Sequence, residues 1–185
     1  MALSTSSSRA IENQAALNSR LNDRWYAQGW HYYRAVWTEA AEAVQHIKSW
    51  LWWKEGEYAK PTSYKDARQV KMELIDILHF GLSMQFIQVK ERLIETNDTR
   101  TGKQMLGDYA EYYVRCFDAE SQGENFEKVC AQLEELVGYV CRDKTFSTRF
   151  FAGACMSAGM DLDEVFSLYF AKTALNRFRW GNGYN

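Results

Sequence analysis

Proline is almost missing from this chain. Pro61 stands alone among 185 residues, so little forbids long helices. Cysteine is sparse and badly spaced for a metal. Cys116, Cys130, Cys141 and Cys155 form no Cys-x-x-Cys pair and have no histidine pattern beside them, which argues against zinc or dithiol chemistry. They fall among apolar residues, so the expectation is four buried thiols in a reducing, cytoplasmic compartment. No apolar run is long enough to cross a bilayer as a helix. Net charge is close to zero: 22 Lys and Arg against 24 Asp and Glu give −2. That balance lacks the basic footprint of a nucleic-acid binder. An anionic ligand must then be drawn by a metal and a few placed cations.

What the chain does have is helical periodicity nearly everywhere. Hydrophobic residues make up 46% and charged residues 25%, enough for one globular domain with a real core. The Ser-rich start is too short and too polar for a secretory signal. Residues 1–8 are expected to form a disordered tail, and residues 9–185 a single all-α bundle. Periodicity places helices over Arg9 to Trp25, Tyr32 to Lys54 and Tyr64 to Glu95. Shorter ones follow over Gln104 to Phe117, Glu124 to Arg142 and Thr148 to Gly159. Asn97 to Lys103 reads as a linker. A last helix starts after Asp161, which with Glu164 makes an N-terminal capping pair, and ends near Arg179.

Two acidic signatures point past structure to chemistry. Glu39-Ala-Ala-Glu42 lies on the second helix and Glu73-Leu-Ile-Asp76 on the third, leading into His79. Carboxylates three residues apart share one side of a helix. Glu39 and Glu42 sit off the apolar stripe of Ala40, Val44, Ile47 and Leu51, and no Lys or Arg follows them four residues on. The plain alternative is a solvated face. The third helix is apolar over most of its circumference, and Glu73, Asp76 and His79 interrupt it on one narrow stripe. Buried carboxylates need a cation, either a metal or a Lys or Arg from another helix. Four carboxylates offer oxygen only, which favours Mg²⁺ or Mn²⁺. A di-iron bundle would want Glu-x-x-His on two helices, and neither copy is present. Mg²⁺ commonly completes its shell with phosphate oxygens, so hydrolysis of a phosphate ester or anhydride follows.

Other residues supply the parts of such a site. Lys172, Asn176 and Arg179 share one stripe of the last helix and suit polyphosphate oxygens. Cations near a helix end are also favoured by its dipole alone, the reason assigned to Arg177. Gln14 and Asn18 share the core-like stripe of the first helix, where amides read a base edge or bond a neighbouring helix. Trp53 and Phe80 stack on a base or belong to the core.

Together these segments resemble the dimeric all-α dUTPase family of the all-α nucleoside-triphosphate pyrophosphatases. The likeness rests on Gln14-Ala-Ala-Leu-Asn18, Trp37-Thr-Glu-Ala-Ala-Glu42, Trp52-Trp53-Lys54, Glu73-Leu-Ile-Asp-Ile-Leu-His-Phe80, Lys172-Thr-Ala-Leu-Asn-Arg-Phe-Arg179 and Asn182-Gly-Tyr184, in that order. The segment before Glu39 is shorter than the pattern, and relatives commonly add glycines and basic residues after the position of Tyr184. The resemblance implies a homodimer that converts dUTP, and dUDP, to dUMP. It implies that Glu39, Glu42, Glu73 and Asp76 hold Mg²⁺ and that Glu42 or Glu39 activates water. Lys172, Asn176 and Arg179 would bind phosphates, and Lys54 and Tyr184 would also bind the substrate. Gln14 and Asn18 would meet uracil near Trp53 and Phe80, and His79 would lie by the sugar. A sister pyrophosphatase acting on dCTP or several nucleotides would keep the acidic quartet. A helical protein-interaction module would have no activity.

Overall fold

The computed structural model describes residues 2–48, 53, 66–95 and 102–183, with only the backbone described at 2–5, 28–30, 95 and 103. Seven α-helices occur among them: α1 (Ala2–Leu21), α2 (Gly29–Ile47), α3 (Ala67–Glu95), α4 (Gly102–Asp118), α5 (Phe126–Asp143), α6 (Thr148–Ser157) and α7 (Leu162–Gly181). A 3-10 turn, Trp25–Gln28, precedes α2. Among the described residues there is no β-strand, only one isolated bridge between Glu124 and Ala158.

The central element is α3. Val70, Leu74, Ile75, Ile77, Leu78 and Leu82 are all fully buried, as a helix apolar nearly all round requires. It packs against α1, α2, α4, α6 and α7. One connected cluster of buried side chains draws on all seven helices. Burying apolar surface on this scale is what outweighs the chain entropy lost on folding.

Several helix ends differ from expectation, α4 for instance beginning at Gly102 inside the expected linker, and three of them have a local reason. The first helix starts at Ala2, so residues 2–8 are helical and not a tail. Neither Gly nor Pro interrupts it, and Ser7 is 0% exposed, so packing holds what weak helix propensity would not. It stops at Leu21 and leaves Trp25 to the 3-10 turn. The second helix stops at Ile47, not Lys54. Lys48 turns to a φ of 59° and its N–H bonds the Val44 carbonyl at 3.1 Å, a left-handed C-cap made without the usual glycine. Lys144 ends α5 in the same way. Of the cysteines, Cys116 and Cys155 are buried as expected, but Cys130 is half-buried and Cys141 exposed, because the apolar stripe of α5 runs Phe126, Val129, Leu133, Leu136 and Val140 instead.

The capping pair at α7 is half realised. The Asp161 side chain accepts from the Glu164 N–H at 2.8 Å. The Glu164 carboxylate does not reach back but pairs with Lys71 of α3 at 2.8 Å, which pins the start of α7 to α3. On the far side of α3, fully buried Gln85 donates to Thr148 Oγ1 at 2.9 Å and accepts from the Tyr113 hydroxyl at 3.0 Å, so a polar group in the core keeps its partners.

Gly81 matters because of a close approach. A Cβ there would lie 2.5 Å from the Phe146 ring, which packs on Phe151 at 5.5 Å between ring centres. Gly81→Ala is expected to cost about 1–3 kcal/mol by overpacking. Thermal unfolding measures it, and an unchanged melting temperature would contradict the packing described.

Candidate active site

The ridge between α2 and α3 carries the acids. Oxygens of Glu39, Glu42 and Glu73 all lie within 4.8 Å of one another. Glu39 and Glu73 are half-buried and Glu42 is exposed. His46, one turn beyond Glu42 on α2, sets its Nε2 3.5 Å from Glu73 Oε1. Asp76, one turn beyond Glu73 on α3, faces the same ridge but is engaged elsewhere: Lys172 of α7 makes a direct ion pair with its Oδ2. The two readings of the buried acids are thus divided. Asp76 has an ammonium partner, and the three glutamates face each other.

The electrostatics follow from crowding. Burial, and then the negative charges of Asp76, Glu42 and Glu73, push Glu39 up to about 7 against the pull of Lys172. Burial and Asp76 raise Glu73, opposed by Lys172 and His46. Burial raises Asp76 too, with the Lys172 ion pair working the other way. Such a cluster holds a proton, or a cation, more tightly than water-exposed carboxylates do. An all-oxygen set at this spacing fits a hard divalent ion.

Because Glu39 rises from 4.5 to about 7, the folded chain binds its proton more tightly than the unfolded chain. In the metal-free chain this group therefore lowers stability as the pH rises through that interval. Glu39→Gln is expected to raise the melting temperature of EDTA-treated protein by about 2–4 °C at pH 8, a value discounted for the group's partial exposure. At pH 5 the gain should vanish. A drop at pH 8 in a calorimetric scan would contradict the crowding.

Beside the acids, α1, α3 and α7 enclose a chain of polar side chains. The Gln14 Nε2 donates to Asn18 Oδ1 at 2.9 Å. The Asn18 Nδ2 donates to Ser83 Oγ at 2.8 Å, and Ser83 donates to the His79 carbonyl at 2.8 Å. The His79 Nδ1 lies 2.7 Å from Gln14 Oε1. The Tyr169 hydroxyl donates to the same oxygen at 3.0 Å, sharing its proton with the Ala10 carbonyl at 3.1 Å. The His79 ring lies on the Tyr169 ring, 4.6 Å between centres. Burial, and then the charge of Lys172, push His79 down to about 3, so the ring is neutral. Its proton sits on Nδ1, since an amide oxygen only accepts. The Nε2 is buried with no partner among the described residues.

The other expected site residues are scattered. Phe80 is half-buried and belongs to an aromatic chain with Tyr32, Trp25 and Phe86. Trp53 lies past the end of α2 and is 54% exposed. Asn176 is half-buried and Arg179 exposed, one and two turns beyond Lys172 on α7. Arg177, assigned to the helix dipole alone, in fact donates to Asn13 of α1. Lys54 and Tyr184 lie outside the described residues. Ser83 and the Tyr169 hydroxyl were not singled out from sequence, although a serine inside an apolar helix four residues after His79 was a visible signal.

The family model described as dUTPase matches residues 8–184. The chain belongs to this dUTPase family. The match runs from the first helix past Arg179, and so covers both acidic helices and the amide pair. A dUTPase fold without strands among the described residues agrees with the all-α class. Membership makes the chain a hydrolase of nucleotides, of the dUTP diphosphatase type. No curated protein matches the chain.

Proposed function

We propose that this dUTPase-family chain hydrolyses dUTP to dUMP and pyrophosphate, accepts dUDP, and requires Mg²⁺, with Mn²⁺ as a substitute. The observation that carries this reading is the cluster of Glu39, Glu42 and Glu73 in a chain matched to dUTPase along almost its whole length. Glu39, Glu42 and Glu73 would hold the ion, joined by Asp76 once Lys172 leaves it. When bound, the ion supplies positive charge at the phosphate oxygens.

The remaining roles fall to the chain's own residues. Glu42, the exposed member of the cluster, accepts a proton from the attacking water. Water adds at the β-phosphorus and the bridge oxygen leaves with dUMP. Lys172, Asn176 and Arg179 hold the phosphate oxygens and offset the charge that develops as that bond breaks. Gln14 and Asn18 read the base, Phe80 and Trp53 stack beside it, and neutral His79 lies by the sugar. The active form is a homodimer in the cytoplasm.

The substrate is tested by product analysis over a panel of deoxynucleoside triphosphates with Mg²⁺. The reading predicts dUTP as the fastest substrate. Faster turnover of dCTP would replace it with a sister pyrophosphatase. Light scattering tests the dimer.

A further inference from the structure

Hydrogen-bond direction in the buried chain of α1 and α3 is not arbitrary. The His79 carbonyl can only accept, so Ser83, 2.8 Å from it, must donate its single proton there. The Ser83 oxygen can then only accept from Asn18, 2.8 Å away, which turns the Asn18 Nδ2 toward Ser83 and its Oδ1 toward Gln14. The Gln14 Nε2 must in turn face Asn18, leaving Gln14 Oε1 to accept from His79 and Tyr169. Reversing the chain would strip the Ser83–carbonyl bond. It would also move the His79 proton to Nε2, where no described partner waits and a buried donor is costly.

Each amide nitrogen carries two hydrogens, and among the described residues one of each is used. What remains unused is a Gln14 N–H, a lone pair on Asn18 Oδ1 and an Asn18 N–H. Taken in order along the hydrogen-bonded chain, they read donor–acceptor–donor. Both residues are nearly buried, at 4% and 7% exposure, and each of these atoms already has one partner, so the remaining positions are second hydrogen bonds that a ligand can take. We propose that Ser83 is a positioning residue that fixes this polarity, so that Gln14 and Asn18 select a 2,4-dioxopyrimidine edge. That edge reads acceptor–donor–acceptor. Cytosine presents a donor and two acceptors and mismatches at two of the three positions.

The inference rests on the assignment of Gln14 and Asn18 to the base, and it is tested by binding, which needs neither metal nor hydrolysis. Calorimetric titration of the full chain with dUMP, dTMP, dCMP and N3-methyl-dUMP should show dUMP at least about tenfold tighter than dCMP and the N3-methyl compound. The dTMP arm separates uracil from thymine, which share the edge. Ser83→Ala frees Asn18 to turn over and should shrink the dUMP-to-dCMP preference about tenfold, whereas Ser83→Thr, which keeps the hydroxyl, should preserve it. Thr148→Val removes a bond from the Gln85 network and should lower stability without moving the preference. No preference in the unaltered chain, or one that Ser83→Ala leaves within twofold, overturns the proposal. Loss of dUTP hydrolysis with the binding preference intact would count against the catalytic reading alone.

Discussion

Glu42→Ala is expected to lower dUTP turnover about 10²–10³-fold while leaving the chain folded. Glu42 is exposed, so its removal opens no cavity. It is also one of the charges that push Glu39 upward, so its loss relieves repulsion and the metal-free melting temperature should hold or rise. The combination separates a functional acid from a structural one, because a structural residue would lose stability and activity together. Steady-state kinetics with Mg²⁺ saturating, beside a thermal scan, provides both readings. Turnover within tenfold of the unaltered chain would remove Glu42 from the role of proton acceptor.

Lys172→Met should separate two properties that usually fall together. In the structure Lys172 neutralises Asp76, and the glutamates that crowd together are the other three. The ammonium therefore stands where it competes with a divalent cation for Asp76. Without it, Mn²⁺ affinity of the nucleotide-free chain should rise about tenfold, the scale on which neighbours of metal ligands act. Turnover of dUTP should nevertheless fall about 10²-fold or more, because a cation that offsets the charge developing on the phosphate oxygens is gone. Melting should drop in EDTA, where Asp76 loses its partner, and recover with Mn²⁺. Electron paramagnetic resonance of added Mn²⁺ reports the affinity directly. Weaker Mn²⁺ binding in the variant would mean that Lys172 supports the cation site and does not compete for it.

Glu39, Glu42 and Glu73 are legible because helical spacing fixes which side chains share a face, and the circumferential apolarity of α3 says that its face is covered. Asp76 has the same spacing, yet its partner comes from 96 residues away, and no local pattern encodes that. The helix ends show the same limit. Lys48 and Lys144 adopt left-handed backbone where glycine would have announced a stop, so α2 looks longer in sequence than it is. Ser7 is polar and sits near the chain start, but its burial against the bundle makes residues 2–8 helical. Gln14 and Asn18 were recognisable as amides on a core face. Which way each amide points depends on Ser83 and His79, and emerges only when α1 and α3 are set side by side.

We propose that clustered acids on α2 and α3 serve a metal-dependent attack on a uracil nucleotide. Pyrophosphate release from dUTP by the purified chain, followed in Mg²⁺, in EDTA, and in EDTA with Mg²⁺ restored in excess, decides it. One pyrophosphate is expected for each dUMP, with loss of release in EDTA and full return with Mg²⁺. Release that EDTA leaves unchanged, or no release in Mg²⁺ from a folded chain, would contradict it.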